Sequence, residues 1–316
     1  MKALAAYVMR GRLQAMLAAA GLAALSLILL PLSWPVSFLS GAVIGLVVLV
    51  QGPKEGAFTA LGAAAILAVL VTLLLKLPTM AGVYALLVWI PVWLLTITLL
   101  LSRSLAMAMN VGALLGICIV LAVYALIPNP AGLWYEHFTQ QVLPLMEKAG
   151  MALNKAPDFD AQLKEASKVM TGTTVAFSIM AMWLALLIAR NWQAVLYNPE
   201  GFREEFRALR LGQTSAIIAG LIAMLAMFAG GAVNELATNA LVVMLMLFMF
   251  QGLAVGHNLV NQYQQGKAWI VGMYVVLVFT SPHGLMLFAM LGWLDNGFDF
   301  RKRFAKKTDT TSQDDD

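Results

Sequence analysis

The sequence predicts an all-α fold, a polytopic transmembrane helical bundle with about eight crossings plus a C-terminal re-entrant hairpin or kinked ninth helix. Of its 316 residues, 61% are apolar and only 11% are charged, with a mean hydropathy of +0.83. A soluble domain carries about 25% charged residues. The charges also leave long gaps, and about 20 apolar residues cross a bilayer core. Each of the following gaps fits at least one crossing: 13–53, 56–75, 77–102, 104–135, 169–189, 211–234, 236–266 and 268–294.

The first gap, 13–53, is too long for one helix. Pro31 and Pro35 interrupt it, so we expect a turn there and a helix on either side. The basic and apolar start of the chain has the pattern of a signal peptide. No A-x-A-like cleavage site follows it, so we interpret it as an uncleaved first helix.

Positive charge predicts the orientation of the bundle. Cytoplasmic loops of membrane proteins carry an excess of Lys and Arg. With Lys2, Arg10 and Arg12 in the cytoplasm, alternating crossings place every arginine up to Arg210 inside and the segment 128–170 outside. We therefore expect a multi-pass protein of the bacterial inner membrane with a cytoplasmic N-terminus.

The charge-free run 268–294 decides where the C-terminus lies. One crossing would put the five basic residues of the tail, 301–316, outside, whereas a hairpin that reverses at Ser281–Gly284 keeps them inside. We expect the hairpin, entering near Trp269 and leaving near Trp293, with a polar cytoplasmic tail. A single kinked crossing is the alternative.

Residues 1–300 are expected to form a single integral membrane domain that includes two amphipathic segments. In the outer segment, 128–170, apolar residues recur at helical spacing, which predicts a helix on the membrane surface. A second short helix, from about Asp158 to Val169, is expected to lead into the next crossing.

The inner segment, 190–212, is expected to form an interfacial helix on the cytoplasmic side. Phe202, Phe206 and Leu209 form one stripe, which predicts contact with lipid or with the membrane domain. A second stripe predicts contact with anionic lipid headgroups; it consists of Arg203, Arg207 and Arg210. The alternative is a docking surface for a cytoplasmic partner.

Small residues one turn apart let helices approach closely. Three GxxxG spacings occur in the predicted crossings, and they predict close packing within the chain rather than a dimer: Gly41/Gly45, Gly112/Gly116 and Gly252/Gly256.

The sequence contains no HExxH, CxxC, G-x-S-x-G or phosphate-binding GxxxxGK[ST] motif. Three scattered histidines and one cysteine, Cys118, argue against a metal centre, so we expect no metal and no cofactor. Whether the protein is an enzyme stays open, although the missing motifs argue against it, and no nucleic-acid partner is expected.

The motif "DNGFDF" predicts a turn at Asn296–Gly297 with Asp299 paired to Arg303.

Polar side chains at membrane depth are costly and often functional. One narrow face of a predicted helix carries Gln251, Asn258, Gln262 and Gln265 at helical spacing. This pattern predicts either a polar site or hydrogen bonds between helices. The candidate polar membrane site comprises Gln251, His257, Asn258, Asn261, Gln262 and His283, the last at the expected hairpin tip.

Four stretches carry a family resemblance. They are "LVQGPKEGAFTALGAA", "QGLAVGHNLV" and the C-terminal "KAWIVGMYVVLVFTSP" with "LGWLDNGFDFRKR". They resemble the YybS-like predicted membrane proteins, a bacterial family of unknown function, over about 10–300 but not in the outer loop 128–170. That family is distantly similar to the membrane-embedded substrate-binding components of energy-coupling vitamin importers. The resemblance implies no binding residues.

The sequence is compatible with two functions. The leading expectation is a small-solute-binding or transport component, or a membrane part of a larger complex, because the polar stripe lies at membrane depth. The alternative is a non-enzymatic assembly or scaffold protein of the cell envelope. The expected partners are the lipid bilayer, anionic headgroups, and a small solute or a protein of the membrane complex.

Overall fold

A computed structural model describes residues 2–29, 33–150 and 158–304, without the side chain of Trp34. All regular secondary structure in these ranges is helical, which confirms the all-α prediction. The helices are α1 (Lys2–Val8), α2 (Arg12–Ile28), α3 (Ser33–Gln51), α4 (Pro53–Leu75), α5 (Thr79–Tyr84), α6 (Ile90–Ser102), α7 (Leu105–Leu126), α8 (Pro130–His137), α9 (Leu143–Lys148), α10 (Phe159–Tyr197), α11 (Gly201–Arg207), α12 (Gln213–Phe228), α13 (Gly231–Gln262), α14 (Lys267–Phe279), α15 (His283–Phe298) and α16 (Phe300–Arg303). Two π turns, Ala85–Trp89 and Phe138–Val142, join α5 to α6 and α8 to α9.

Five helices are long and apolar enough to cross a membrane: α4, the continuous Thr79–Ser102 helix, α7, α10 and α13. The remaining three predicted crossings coincide with α2, α3 and α12, which offer shorter apolar stretches. Length and composition therefore support five spans, and the total of about eight crossings stays a prediction. The predicted turn at Pro31 and the tail beyond Phe304 lie outside the described residues.

Three predicted boundaries are wrong. Pro35 does not break a helix, because it lies in the first turn of α3, where its missing N–H costs no hydrogen bond. The separate helix predicted over 158–169 is the start of α10, which runs unbroken for 39 residues because no proline interrupts it. The inner helix is also shorter than 190–212. The chain leaves helical geometry at "NPE", around Pro199, and α11 begins at Gly201.

Helix α10 lies at the centre of the bundle and packs against α3, α7, α8 and α13. Its Trp183 and Trp192 are buried in the core. The predicted close packing at the GxxxG spacings is confirmed. A Cβ at Gly45 would lie 2.8 Å from the Cβ of Ala189, and one at Gly116 would lie 2.9 Å from Val243. A methyl group at these positions would force the helices apart.

Side-chain contacts show which helix ends lie together. Arg12 bonds Glu55 at the start of α4, Gln193 donates to the Leu49 carbonyl, and Asn110 donates to the Leu211 carbonyl. We call this the basic end of the bundle. At the opposite end the Asn239 amide bonds the Tyr124 hydroxyl and the Lys168 carbonyl, joining α7, α10 and α13.

The C-terminal hairpin consists of α14, a turn at 280–282, and α15. The turn overlaps the reversal predicted at Ser281–Gly284. Helix α15 packs closely on α13, whereas α14 has no buried residue and touches its neighbours sparsely. Gln262, just before α14, contacts the Arg301 carbonyl, just after α15. Both open ends of the hairpin therefore lie at the basic end.

Candidate functional site

The buried side chain of Gln251 joins three parts of the chain. Its Oε1 accepts a hydrogen bond from the backbone N–H of Leu211 at 3.0 Å, and its Nε2 donates to Asp295 Oδ2 at 3.1 Å. Gln251 and Asp295 are both fully buried. Helix α13, the segment that enters α12, and helix α15 are thus fastened through one amide.

Arg301 completes this arrangement from the other side of Asp295. Only 7% of Arg301 is exposed, and its Nη2 lies 3.4 Å from Asp295 Oδ2. The guanidinium donates to the Arg207 carbonyl at 2.8 Å and to the Leu209 carbonyl at 2.6 Å. A buried charge needs a partner and hydrogen bonds, and Arg301 has both.

Asp299 adds an ion pair at the rim. Its carboxylate bonds Arg210 and, at 3.4 Å, Lys302. The hydrogen bond from Arg210 is the main reason that the pKa of Asp299 lies below its usual range. The predicted pairing of Asp299 with Arg303 is wrong, since Arg303 lies over the Phe298 ring instead.

We call this set the hairpin junction; it comprises Leu211, Gln251, Asp295, Asp299 and Arg301. The predicted turn at Asn296–Gly297 is also wrong, because α15 continues to Phe298 and the chain turns at Asp299. Asp299 adopts a left-handed conformation, with a φ of 45°. Asp tolerates this conformation better than most residues. The turn directs Arg301 back towards α11.

The other predicted site residues do not gather around Gln251. His257 bonds the Tyr274 hydroxyl at 3.1 Å and meets the edge of Phe206. Asn261 is exposed, and so is His283 at the start of α15. The side chain of His283 makes no hydrogen bond to another described residue, and it lies apart from the junction.

Two oxygens of the predicted stripe are buried without a hydrogen-bond partner among the described residues. They are Asn258 Oδ1 and Gln262 Oε1. The Gln262 Nε2, by contrast, donates to the Arg301 carbonyl at 3.2 Å. The junction therefore provides hydrogen-bond partners for some polar atoms of this stripe and leaves others without one.

The three arginines of the inner segment differ in their surroundings. Arg203 is 66% exposed and pairs with Glu200 at 3.3 Å. Arg210 is paired with Asp299, and the Arg207 carbonyl accepts from Arg301. Their apolar neighbours Phe202, Phe206 and Leu209 pack against the bundle core.

Glu205, also on α11, pairs with Arg190 Nε at 2.7 Å. Burial raises the pKa of Glu205, and the Arg190 charge only partly offsets this effect. Helix α11 is therefore held to α10 by an ion pair as well as by apolar contacts.

A second polar cluster was not predicted. Tyr84 donates from its hydroxyl to Ser37 at 3.2 Å, and Trp89 donates from its indole nitrogen to Ser40 at 3.0 Å. Ser40 in turn donates to the Ala19 carbonyl. The serine pair at i and i+3 on α3 is visible in the sequence. Its partners are five residues apart, a spacing that no regular α-helix places on one face.

The described residues contain no group of three or more His, Cys, Asp or Glu side chains that could hold a metal ion.

A family model described as "Predicted membrane protein (DUF2232)" matches residues 18–296. The chain belongs to this family. The match confirms the expected membership of a family of predicted membrane proteins over most of the chain, and it includes the outer loop that the motifs left unmatched. Together with the five long apolar helices, membership of the DUF2232 family identifies a membrane protein that sits in the lipid bilayer. No curated protein and no solved structure matches the chain.

Proposed function

We propose that this DUF2232 protein is a non-enzymatic scaffold or assembly component of the bacterial inner membrane, with both termini in the cytoplasm. In this proposal about eight crossings are followed by a re-entrant C-terminal hairpin. The observation that carries it is the role of Gln251. Its amide oxygen accepts a hydrogen bond from the Leu211 N–H, its amide nitrogen donates to Asp295, and the residue is fully buried.

A transport path needs polar groups that a solute can reach near the bilayer midplane. Gln251 is the most deeply buried residue of the predicted stripe, and it fastens helices instead of facing an opening. The junction holds the hairpin and α11 in one fixed arrangement. A rigid surface at the basic end is what an assembly protein presents to a partner.

Solute binding is the second candidate, and one observation favours it. Asn258 Oδ1 and Gln262 Oε1 are buried and lack a partner among the described residues. Buried polar atoms are normally hydrogen-bonded, so a bound polar solute or water would satisfy them. The likeness to YybS-like proteins and to the substrate-binding components of vitamin importers belongs to this candidate and stays a prediction.

Native mass spectrometry of the full chain released from a mild detergent separates the two candidates. The scaffold proposal predicts an added mass that equals another polypeptide in a fixed ratio. Solute binding predicts the added mass of a small molecule, which Asn258→Leu removes while Asn261→Leu, at an exposed position, leaves it. A small molecule bound in this way, with no second polypeptide, would refute the scaffold proposal.

We also propose that Arg203 meets anionic lipid headgroups. Arg210 pairs with Asp299, so replacing it would disturb the junction, and Arg207 is half-buried, whereas Arg203 is exposed. One basic residue near an anionic surface contributes about 1 kcal/mol. Arg203→Gln should therefore lower the ratio of retained phosphatidylglycerol to phosphatidylcholine about fivefold in native mass spectra. Glu204→Gln is the matched control, and an unchanged ratio for Arg203→Gln would exclude the contact.

A further inference from the structure

A cavity of about 160 Å³ lies between α3, the first π turn and α10. Apolar side chains form most of its wall, among them Leu87, Val88 and Met182. Two hydroxyl groups interrupt the apolar wall, those of Ser37 on α3 and Ser178 on α10. The cavity is remote from the hairpin junction and shares no residue with it.

The π turn accounts for the shape of this cavity. In a π turn the backbone bond spans five residues, and here Ile90 N–H bonds the Ala85 carbonyl. Residues five apart therefore lie on one face, and Tyr84 and Trp89 are both buried with ring centroids 5.2 Å apart. Both aromatics are anchored on α3, so Leu87 and Val88 are left to face α10 across a gap. Such turns are frequent at functional sites.

Each hydroxyl in the wall has hydrogen-bonding capacity to spare. Ser37 Oγ accepts from Tyr84, and its own O–H has no acceptor among the described residues. Ser178 Oγ donates to the Thr174 carbonyl at 2.8 Å, so its lone pairs stay open. A hydroxyl carries one donor and two acceptor positions. The two sides of the cavity thus offer one donor and one acceptor.

The lining contains no Asp, Glu, Lys, Arg or His. An unpaired charge in such a site is strongly disfavoured, which excludes ions and zwitterions as ligands. Leu87 and Ser178 are exposed at the rim, on a surface that lipid covers in a membrane protein. A ligand can therefore enter sideways from the bilayer.

We propose that this cavity binds a neutral amphiphile with an aliphatic chain and one hydroxyl group. Its hydroxyl accepts a hydrogen bond from Ser37 and donates one to Ser178. Its chain lies against Leu87, Val88 and Met182. This binding site goes beyond the scaffold role and does not depend on it.

The test uses the full chain in lipid nanodiscs and a photoreactive diazirine analogue of octanol as the probe. Labelling should concentrate on the cavity wall, which α3, the first π turn and α10 form. Excess octanol should compete, and decane, which lacks the hydroxyl, should not. Competition by diacylglycerol assigns the natural ligand to the bilayer lipids, and competition by octanol alone assigns it to free alcohols.

Variants of the cavity residues provide a second test of probe binding. Ser37→Ala and Ser178→Ala should each weaken probe binding about fivefold, the factor that one hydrogen bond of about 1 kcal/mol provides. Ser102→Ala is the matched control, because that exposed serine bonds only neighbouring backbone and lies outside the cavity. Ala181→Phe should fill the cavity and abolish labelling, with thermal stability measured to show that it folds. Labelling spread over exposed helices, or unchanged in both serine variants, would overturn the proposal.

Discussion

Gln262 donates a hydrogen bond from its Nε2 to the backbone carbonyl oxygen of Arg301, 3.2 Å away, although the two residues are 39 positions apart. The intervening chain leaves the basic end as α14, reverses, and returns as α15. Its arms of 13 and 16 residues are about 20 and 24 Å long. Each arm is shorter than a bilayer core, as a hairpin that enters and leaves on one side requires.

The hairpin is held to the bundle through α15 rather than through α14. Helix α14 has no buried residue, while α15 meets α13 where Gly252 faces Gly292. The junction residues then fix the end of α15 to the linker before α12. The hairpin therefore depends on two features, a glycine contact and a buried polar junction.

The glycine contact gives the first prediction. A Cβ on Gly292 would collide with the Phe248 carbonyl oxygen, so Gly292→Ala should lower the free energy of unfolding by about 1–3 kcal/mol. The matched control is Gly272→Ala on α14, where a Cβ meets open space and should be neutral or slightly stabilising. Unfolding by SDS titration in a mild detergent measures both. Equal stabilities for the two variants would contradict the packing.

Gln251 provides the second prediction. Gln251→Leu keeps the volume but leaves the Leu211 N–H without its partner and removes a donor from Asp295. A buried group left unpaired costs about 1–3 kcal/mol, and we expect a loss of about 2 kcal/mol in the same titration. Gln265→Leu, at an exposed position, should change stability by less than about 0.5 kcal/mol. If Gln251→Leu behaved like the control, Gln251 would not fasten the helices.

A pH effect at Asp299 forms the third prediction. The folded-state pKa of Asp299 is lowered, first by its hydrogen bond with Arg210. A carboxyl group with a lowered pKa stabilises the fold above its unfolded pKa of about 3.9. It loses that contribution as the pH falls through the folded value.

Asp299→Asn keeps the tolerance for a left-handed backbone and removes the charge. Wild type should therefore be more stable than Asp299→Asn at pH 7, and the difference should disappear on acidification below about pH 4. Thermal unfolding at a series of pH values measures the difference. A gap that persisted unchanged at the lowest pH would show that the ion pair is not its source.

Charge and hydropathy predict much of this fold because each crossing has its own local signal. The charge-free interval 169–189 marks the middle of α10. The basic tail predicts that the chain reverses direction within 268–294. Helix ends are harder to predict. The charges near Asp158–Lys168 suggest a separate surface helix, yet nothing in that stretch stops α10 from continuing.

The hydrogen-bond partners of a polar residue are harder to predict than helix ends. Helical spacing identifies Gln251, but its partners Leu211 and Asp295 lie 40 and 44 positions away. Only tertiary packing brings them together. The cluster around Ser37 is missed for another reason, since a π turn changes the helical period and places Tyr84 and Trp89 on one face.

The side of the membrane on which α15 ends tests the central claim most directly. Single cysteines at Gln265, Lys302 and Gln140 in a Cys118→Ser background are labelled from each side with a membrane-impermeant maleimide. Gln265 precedes the hairpin, Lys302 follows it and is 84% exposed, and Gln140 lies at the opposite end of the bundle. The re-entrant hairpin predicts that positions 265 and 302 are labelled from one side and position 140 from the other. Labelling of position 302 from the same side as position 140 would contradict it and leave a single crossing.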